Sequence, residues 1–255
     1  ARAANSNGPK EIVEYSETCW HCIHPEFLEE ELTQSLGRLG LTCLDAYLLH
    51  NPEYFLLNVQ RVGGGTRPQL LKTFYSRLEL AFTHLEHEVK QGRIQSYGIS
   101  SNTITDSPEL LPTLDLEKIL EIAAKVGGEN HHFQIVQCPL NLLEPDAALL
   151  PRNNGKTVLA VAQAAKLAVL TNRPLNAILG GGLVRLAEPA EPAQSVDPAE
   201  SILKLTSIEK RLRQELNVEI NTRGETIEVA YFFHWADEFN EIKHKFRNLV
   251  EWEDF

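Results

Sequence analysis

The sequence predicts an α/β fold with a mainly parallel sheet and helices outside it. Two observations carry that expectation: short apolar runs suited to strands alternate with amphipathic helical segments, and each run stops abruptly on polar residues. The 255 residues, 43% hydrophobic and 23% charged, suffice for one large domain with a sizeable core.

Residues 1 to 24 are polar, with Gly8-Pro9 and only a short apolar patch at Ile12-Val13, and read as an arm or loop. Residues 25 to 255 read as the β/α domain with a helical C-terminal portion. The first helix begins at Pro25, where Phe27, Leu28, Leu32, Leu36 and Leu39 recur at spacings of three and four. Acids lie early and Arg38 late, as the helix dipole favours, and Gly40 is a natural stop.

Leu44 to His50 is a short run bounded by turn residues, suited to a strand buried on both faces. VGGGT at 62 to 66 marks a loop. A long helix follows from about Pro68 to Lys90, with Leu71, Phe74, Leu78, Phe82 and Leu85 on one stripe. The cycle then repeats. Residues 93 to 100, 132 to 140 and 168 to 175 read as strands, and 114 to 126 and 155 to 167 as helices. Four strands each followed by a helix demand parallel pairing, because parallel neighbours need a crossover. Residues 180 to 200, rich in Gly and Pro, read as a long loop, and two helices are expected beyond it, the second from Thr226 onward.

The formal net charge of -11 argues against a nucleic-acid or anionic-membrane partner, because such binders need clustered Lys and Arg. No window approaches the ~18 apolar residues of a membrane span, and the first ten residues lack the apolar core of a signal peptide. Four cysteines, at 19, 22, 43 and 138, are too few for a disulfide scaffold and suit a reducing compartment, so a soluble, cytoplasmic protein is expected. There is no methionine, even at position 1, so an initiator and more of the N-terminus are expected to be missing.

In parallel α/β folds ligands sit beyond the C-terminal strand ends. Collected in order, those ends are His50-Asn51-Pro52, Ser100-Ser101-Asn102, Gln137-Cys138-Pro139 and Asn172-Arg173-Pro174. Every one is polar. Singly, such residues also cap strands and open turns; four in register point to a shared ligand, since polar groups at the end of apolar strands need partners.

These residues match a known family. LGRLGLTCLDAYLLHNP resembles the fourth-strand signature of the aldo/keto reductases, which closes with Asp, Tyr, Leu and an active-site His. RIQSYGISSN resembles the next strand, usually ending Gly-Val-Ser-Asn; FQIVQCPLNLLE resembles the one after; AVLTNRPLNAIL resembles the strand usually ending Tyr-Ser-Pro-Leu. The four occur in family order across roughly residues 25 to 185. The resemblance implies a (β/α)8 TIM-type barrel, here incomplete, with strands 4 to 7 and their outer helices present. It also implies binding of NADP or NAD without a Gly-x-Gly-x-x-Gly motif, and hydride transfer between nicotinamide and a carbonyl or alcohol, with an aldehyde or sugar as substrate.

By that carry-over His50 orients the substrate oxygen, a role that a neutral imidazole at a strand mouth can fill. Ser100, Asn102 and Gln137 should hold the nicotinamide carboxamide, and the doubled serine leaves the register open to Ser101. Asn172 stands where the family usually has a Tyr under the nicotinamide ring, so either the ring packs on Arg173 or cofactor binding differs. Asp45 is read as structural. The family's Asp, Tyr and Lys belong to strands upstream of this region. Tyr15 and Lys10 sit in the arm and are not assigned those roles.

Two other readings compete. Cys19-Trp20-His21-Cys22 with His24 has the form of a redox dithiol or zinc half-site, but no strand precedes it and four ligands in six residues are sterically awkward, so no metal site is expected. A loop on the substrate side, packed by Trp20, fits better. His131-His132 reads as a solvated lead-in to a strand, and His84 and His87 as facing water. The second function class is a non-catalytic, barrel-derived module that keeps cofactor contacts.

Overall fold

The computed structural model describes residues 10–16, 19–179, 182–187, 198–215, 219–222, 225–228 and 235–242. The chain divides into two compact units, Ala1–Ala187 and Glu188–Phe255.

In the first unit, a short antiparallel hairpin, β1 (Val13–Glu14) and β2 (Trp20–His21), lies within the segment expected to be an arm. Helix α1 (Pro25–Leu39) starts where the His24 ring accepts the Glu26 amide and Pro25 presets the first turn. It ends at Gly40, whose φ of 65° lets its amide turn back onto the last carbonyls. Then come β3 (Leu44–His50), α2 (Tyr54–Val62), α3 (Arg67–Lys90), β4 (Ile94–Ser100), α4 (Leu116–Gly127) and β5 (Phe133–Pro139). A single turn α5 (Asp146–Leu149), α6 (Val158–Ala164), β6 (Ala168–Asn172) and the hairpin β7 (Asn176–Leu179) with β8 (Gly182–Arg185) complete it.

Strands β3, β4, β5 and β6 form one four-stranded sheet in that order, parallel throughout. The core lies between its outer face and the helices. The ring of Phe82 on α3 sits 5.1 Å from Tyr97 on β4 and 5.3 Å from Phe133 on β5, a cluster worth about 0.5–1.5 kcal/mol per pair beyond its burial. Beneath it the Glu86 carboxylate of α3, only 4% exposed, accepts from the Tyr97 hydroxyl at 3.0 Å and from the His132 amide at 2.8 Å. One buried acid thus ties a helix to two strands.

Several expectations are corrected. Strand β3 is not buried on both faces: only Leu49 is fully buried, because β3 is an edge of this sheet among the described residues. Helix α2 was not foreseen. Helix α6 is confined to Val158–Ala164, ended by Lys166 at a φ of 56°. Strand β6 is followed by a hairpin instead of a helix, and β8 falls inside the expected 180 to 200 loop. His84 does not face water; its side chain is 11% exposed and pairs with buried Glu88 at 3.4 Å. His132 is held by Glu86 through its ring as well, at 2.8 Å, so it is no free surface histidine.

In the second unit α7 (Pro198–Glu215) precedes an antiparallel hairpin, β9 (Glu219–Thr222) and β10 (Glu225–Glu228), and α8 (Trp235–Ile242). The buried Glu209 carboxylate of α7 accepts the Ala236 amide at 3.2 Å, capping the start of α8. The expected helix from Thr226 is therefore corrected in part: Thr226 to Glu228 pair as a strand, while Trp235–Ile242 is helical. The rest of that expected helix, 229 to 234 and 243 to 255, lies outside the described residues. No helix among the described residues is long and apolar enough to cross a membrane.

Two glycines test this packing in opposite directions. Gly98 sits where the β4–β5 register shifts, and a Cβ there would overlap the Ile135 carbonyl, so Gly98→Ala should destabilise by about 1–3 kcal/mol or prevent folding. Gly37, inside α1 with open space around it, should accept Ala with a gain of about 0.5–1 kcal/mol. Urea unfolding of the two variants checks both signs.

Candidate active site

The C-terminal ends of the parallel strands carry a row of polar side chains set by register. His50 pairs with Ser100, and Ser100 pairs with Gln137. With strands about 4.8 Å apart, the three stand side by side across three strands. His50 is exposed, and its ring has no hydrogen-bond partner among the described residues; Ser100 is 5% exposed and Gln137 half-buried. Asn172 lies one layer further out, opposite Pro139, and its buried Oδ1 has no partner among the described residues.

The loops beyond the first two strands are stitched together. The Asn51 amide donates to the Ser100 carbonyl at 2.7 Å, and Asn51 takes a φ of 48°, a conformation asparagine tolerates. The Asn102 side chain donates to Asn51 Oδ1 at 3.1 Å, and the Asn102 amide donates to Glu53 Oε1 at 2.9 Å. Burial pushes the Glu53 carboxyl up from the ordinary glutamate value, opposed by the amides and the Ser101 hydroxyl around it. Ser101 is fully buried, and its hydroxyl accepts the Thr103 and Ile104 amides at 3.2 and 3.1 Å. Of the serine pair, Ser101 holds the turn while Ser100 stays in the row. Asn102 is exposed at the rim.

The N-terminal hairpin approaches the same place. His21 Nε2 lies 2.7 Å from the His50 carbonyl oxygen and so donates to it. Its ring is 5.5 Å from Tyr54, which stacks on Tyr15 at 4.3 Å. Arg61 of α2 covers Tyr15 at 5.9 Å and bonds the Glu14 carbonyl. Trp20, His21, Phe27, Tyr47 and His50 line part of a cavity of about 300 Å³. Tyr15 is thus engaged by its stacking, and Lys10 pairs with Glu26 at 2.6 Å. Cys22 is buried, donates to the Lys10 carbonyl, and has its thiol pushed up by burial, so it lacks the thiolate character of a redox dithiol. No group of three His, Cys, Asp or Glu among the described residues could hold a metal ion.

At the fourth strand end Arg173 adopts a φ of 56°, and its guanidinium meets Glu144 at 2.6 Å. Glu144 also accepts from Asn141 Nδ2 at 2.8 Å and from the Ile178 amide at 3.1 Å. This cluster locks the start of the β7–β8 hairpin, and the Arg173 charge is already answered. Sequence reasoning singled out neither His21, Glu53 nor Glu144 for the rim. The one signal for Glu53 was a carboxylate three residues past a strand end among apolar neighbours.

Burial holds the His21 imidazole below the ordinary histidine value. Between that depressed value and the unfolded value near ~6.5 the unfolded chain binds more protons, so stability falls as pH drops through this window. Replacing His21 with Gln, which keeps an N–H donor but does not titrate, should shrink the loss of Tm between neutral and mildly acid pH. Thermal melts followed by circular dichroism measure the difference.

The family model described as the aldo/keto reductase family matches residues 18–249. No curated protein matches the chain. Among solved structures it is similar to an aldo-keto reductase of Bombyx mori, crystallised in complex with NADP, at 18% identity and a TM-score of 0.37, covering 76% of this chain and 51% of that one. The chain therefore spans about half the length of that structure. With residues 18–249 matched, the chain belongs to the aldo/keto reductase family, and the parallel strands β3 to β6 with their helices are an arc of that family's (β/α)8 barrel.

Proposed function

We propose that the whole protein is an oxidoreductase that uses NADP or NAD and acts on a small carbonyl compound or the corresponding alcohol, an aldehyde or a sugar. The observation that carries this reading is the single cross-strand row of His50, Ser100 and Gln137 at the C-terminal strand ends. A nicotinamide carboxamide needs both donors and acceptors, and Ser100, Asn102 and Gln137 offer both. The buried Asn172 Oδ1, without a partner among the described residues, fits the same group, since a carboxamide N–H would satisfy it. When bound, the nicotinamide would give a hydride to a carbonyl or take one from an alcohol.

The chain's own part is binding and orientation. His50, exposed and with its ring unpartnered among the described residues, donates a hydrogen bond to the substrate oxygen as charge develops there. Its backbone is steadied by His21 through the carbonyl on the same residue. Arg173 serves less well than Asn172 for the nicotinamide, because its guanidinium would first have to leave Glu144. The four free cysteines fit a reducing compartment such as the cytoplasm. A second reading, a module that binds cofactor without turnover, is favoured by the engagement of Tyr15 and Lys10 away from the row.

Titrating the chain with NADPH and NADH, read by cofactor fluorescence, should reveal binding that Gln137→Ala weakens about tenfold. Absence of binding to both would sink the reading. In the whole protein, His50→Ala should lower kcat by about 10²-fold while leaving cofactor affinity within about twofold. An unchanged rate removes His50 from the mechanism, and cofactor binding with no turnover of any aldehyde or sugar selects the second reading.

A further inference from the structure

Glu53 stands out among the groups that the reading above does not use. It is 1% exposed, three residues past His50, at the start of α2. A carboxylate there could cap its own helix, yet no capping bond forms. Its Oε1 instead takes the Asn102 amide of the neighbouring rim loop, while Oε2 is buried with no hydrogen-bond partner among the described residues. An apolar side chain of similar size would fill that space at lower cost, since a buried carboxylate is expensive. Besides its interaction with the Ser101 hydroxyl and the amides around it, what the acid adds is a hold on Asn102.

The consequence reaches the rim through two bonds. With its amide on Glu53 and its Nδ2 on Asn51 Oδ1, Asn102 is held at both backbone and side chain. Asn51 is itself anchored, 3% exposed and bonded to the Ser100 carbonyl. Asn102, exposed at the rim, is then held in one orientation. Preorganisation of this kind spares the ordering cost at binding.

We infer that Glu53 is a positioning residue for the nicotinamide cofactor, acting through Asn102. The inference rests on the reading of Asn102 as a carboxamide contact. It concerns how that contact is set, and Glu53 itself touches no ligand.

The test uses this chain with Glu53→Leu, which keeps bulk but removes the acceptor, Glu53→Gln, which keeps an acceptor oxygen, Asn102→Ala, and the Glu53→Leu/Asn102→Ala double variant. NADPH is titrated by fluorescence, folding is checked by far-UV circular dichroism, and exchange of the Asn102 amide is followed by NMR without cofactor. Expected are about tenfold weaker NADPH binding for Glu53→Leu and for Asn102→Ala, no further loss in the double variant, and recovery to within about twofold in Glu53→Gln. Exchange at the Asn102 amide should speed up at least about tenfold in Glu53→Leu and stay protected in Glu53→Gln.

If Glu53→Leu and Asn102→Ala add in the double variant, or if Glu53→Gln binds as poorly as Glu53→Leu, Glu53 does not act through Asn102 and the inference is overturned. Unchanged exchange at Asn102 in Glu53→Leu overturns it as well, whatever the cofactor does. If Asn102→Ala alone leaves binding unchanged, the carboxamide reading of Asn102 falls and carries the inference with it, a result distinct from a failure confined to Glu53.

Discussion

The parallel ladder joining β3, β4 and β5 is the constraint on which the rest depends. Side chains alternate faces along a strand, so a slip of one residue would send His50, Ser100 or Gln137 to the helix side. Two features hold that register. Gly98 allows β4 to meet Ile135 at the register shift, where any side chain would collide. Glu86 then fastens α3 to Tyr97 and His132, fixing the relative height of β4 and the start of β5. The rim is therefore set from below, by packing along β4 and at the start of β5.

Above the ladder, the loops divide the work. The first two are bound to each other by Asn51, Glu53 and Asn102, and the last is bound by Glu144 through Arg173, Asn141 and Ile178. Each carboxylate gathers donors from separate segments, which is how a short loop without a core of its own becomes a rigid support. His50 is left exposed in the middle of this framework, backed by His21 and the aromatic stack of Tyr15 and Tyr54. A free imidazole on a fixed backbone is what orientation of a substrate oxygen requires.

Much of this was legible in the residue order. Helices α1, α3 and α4 declare themselves by apolar residues at spacings of three and four, and α1 also by Pro25 and Gly40. The polar strand ends announced the rim. Helix α2 was missed because it is only nine residues long and starts just three residues past a strand, too short a segment for its apolar spacing to stand out. His84 was misjudged because its position on the helix wheel is polar, while its burial comes from the pairing with Glu88, which also meets Arg93. The doubled serine could not be resolved from order alone, since it depends on which hydroxyl meets the Thr103 and Ile104 amides.

By itself, then, the sequence determined the parallel β/α alternation and the polar strand ends that hold the candidates His50, Ser100, Ser101, Asn102, Gln137, Asn172 and Arg173, because both follow from local periodicity and from where apolar runs stop. Only the tertiary structure decided which of them share a row, that Ser101 serves a turn, that Arg173 is spent on Glu144, and that Glu53 lies beneath Asn102. Apart from the Ser101 turn, which is local, those facts rest on contacts between residues about 30 to 50 positions apart, and no local pattern encodes a partner at that distance.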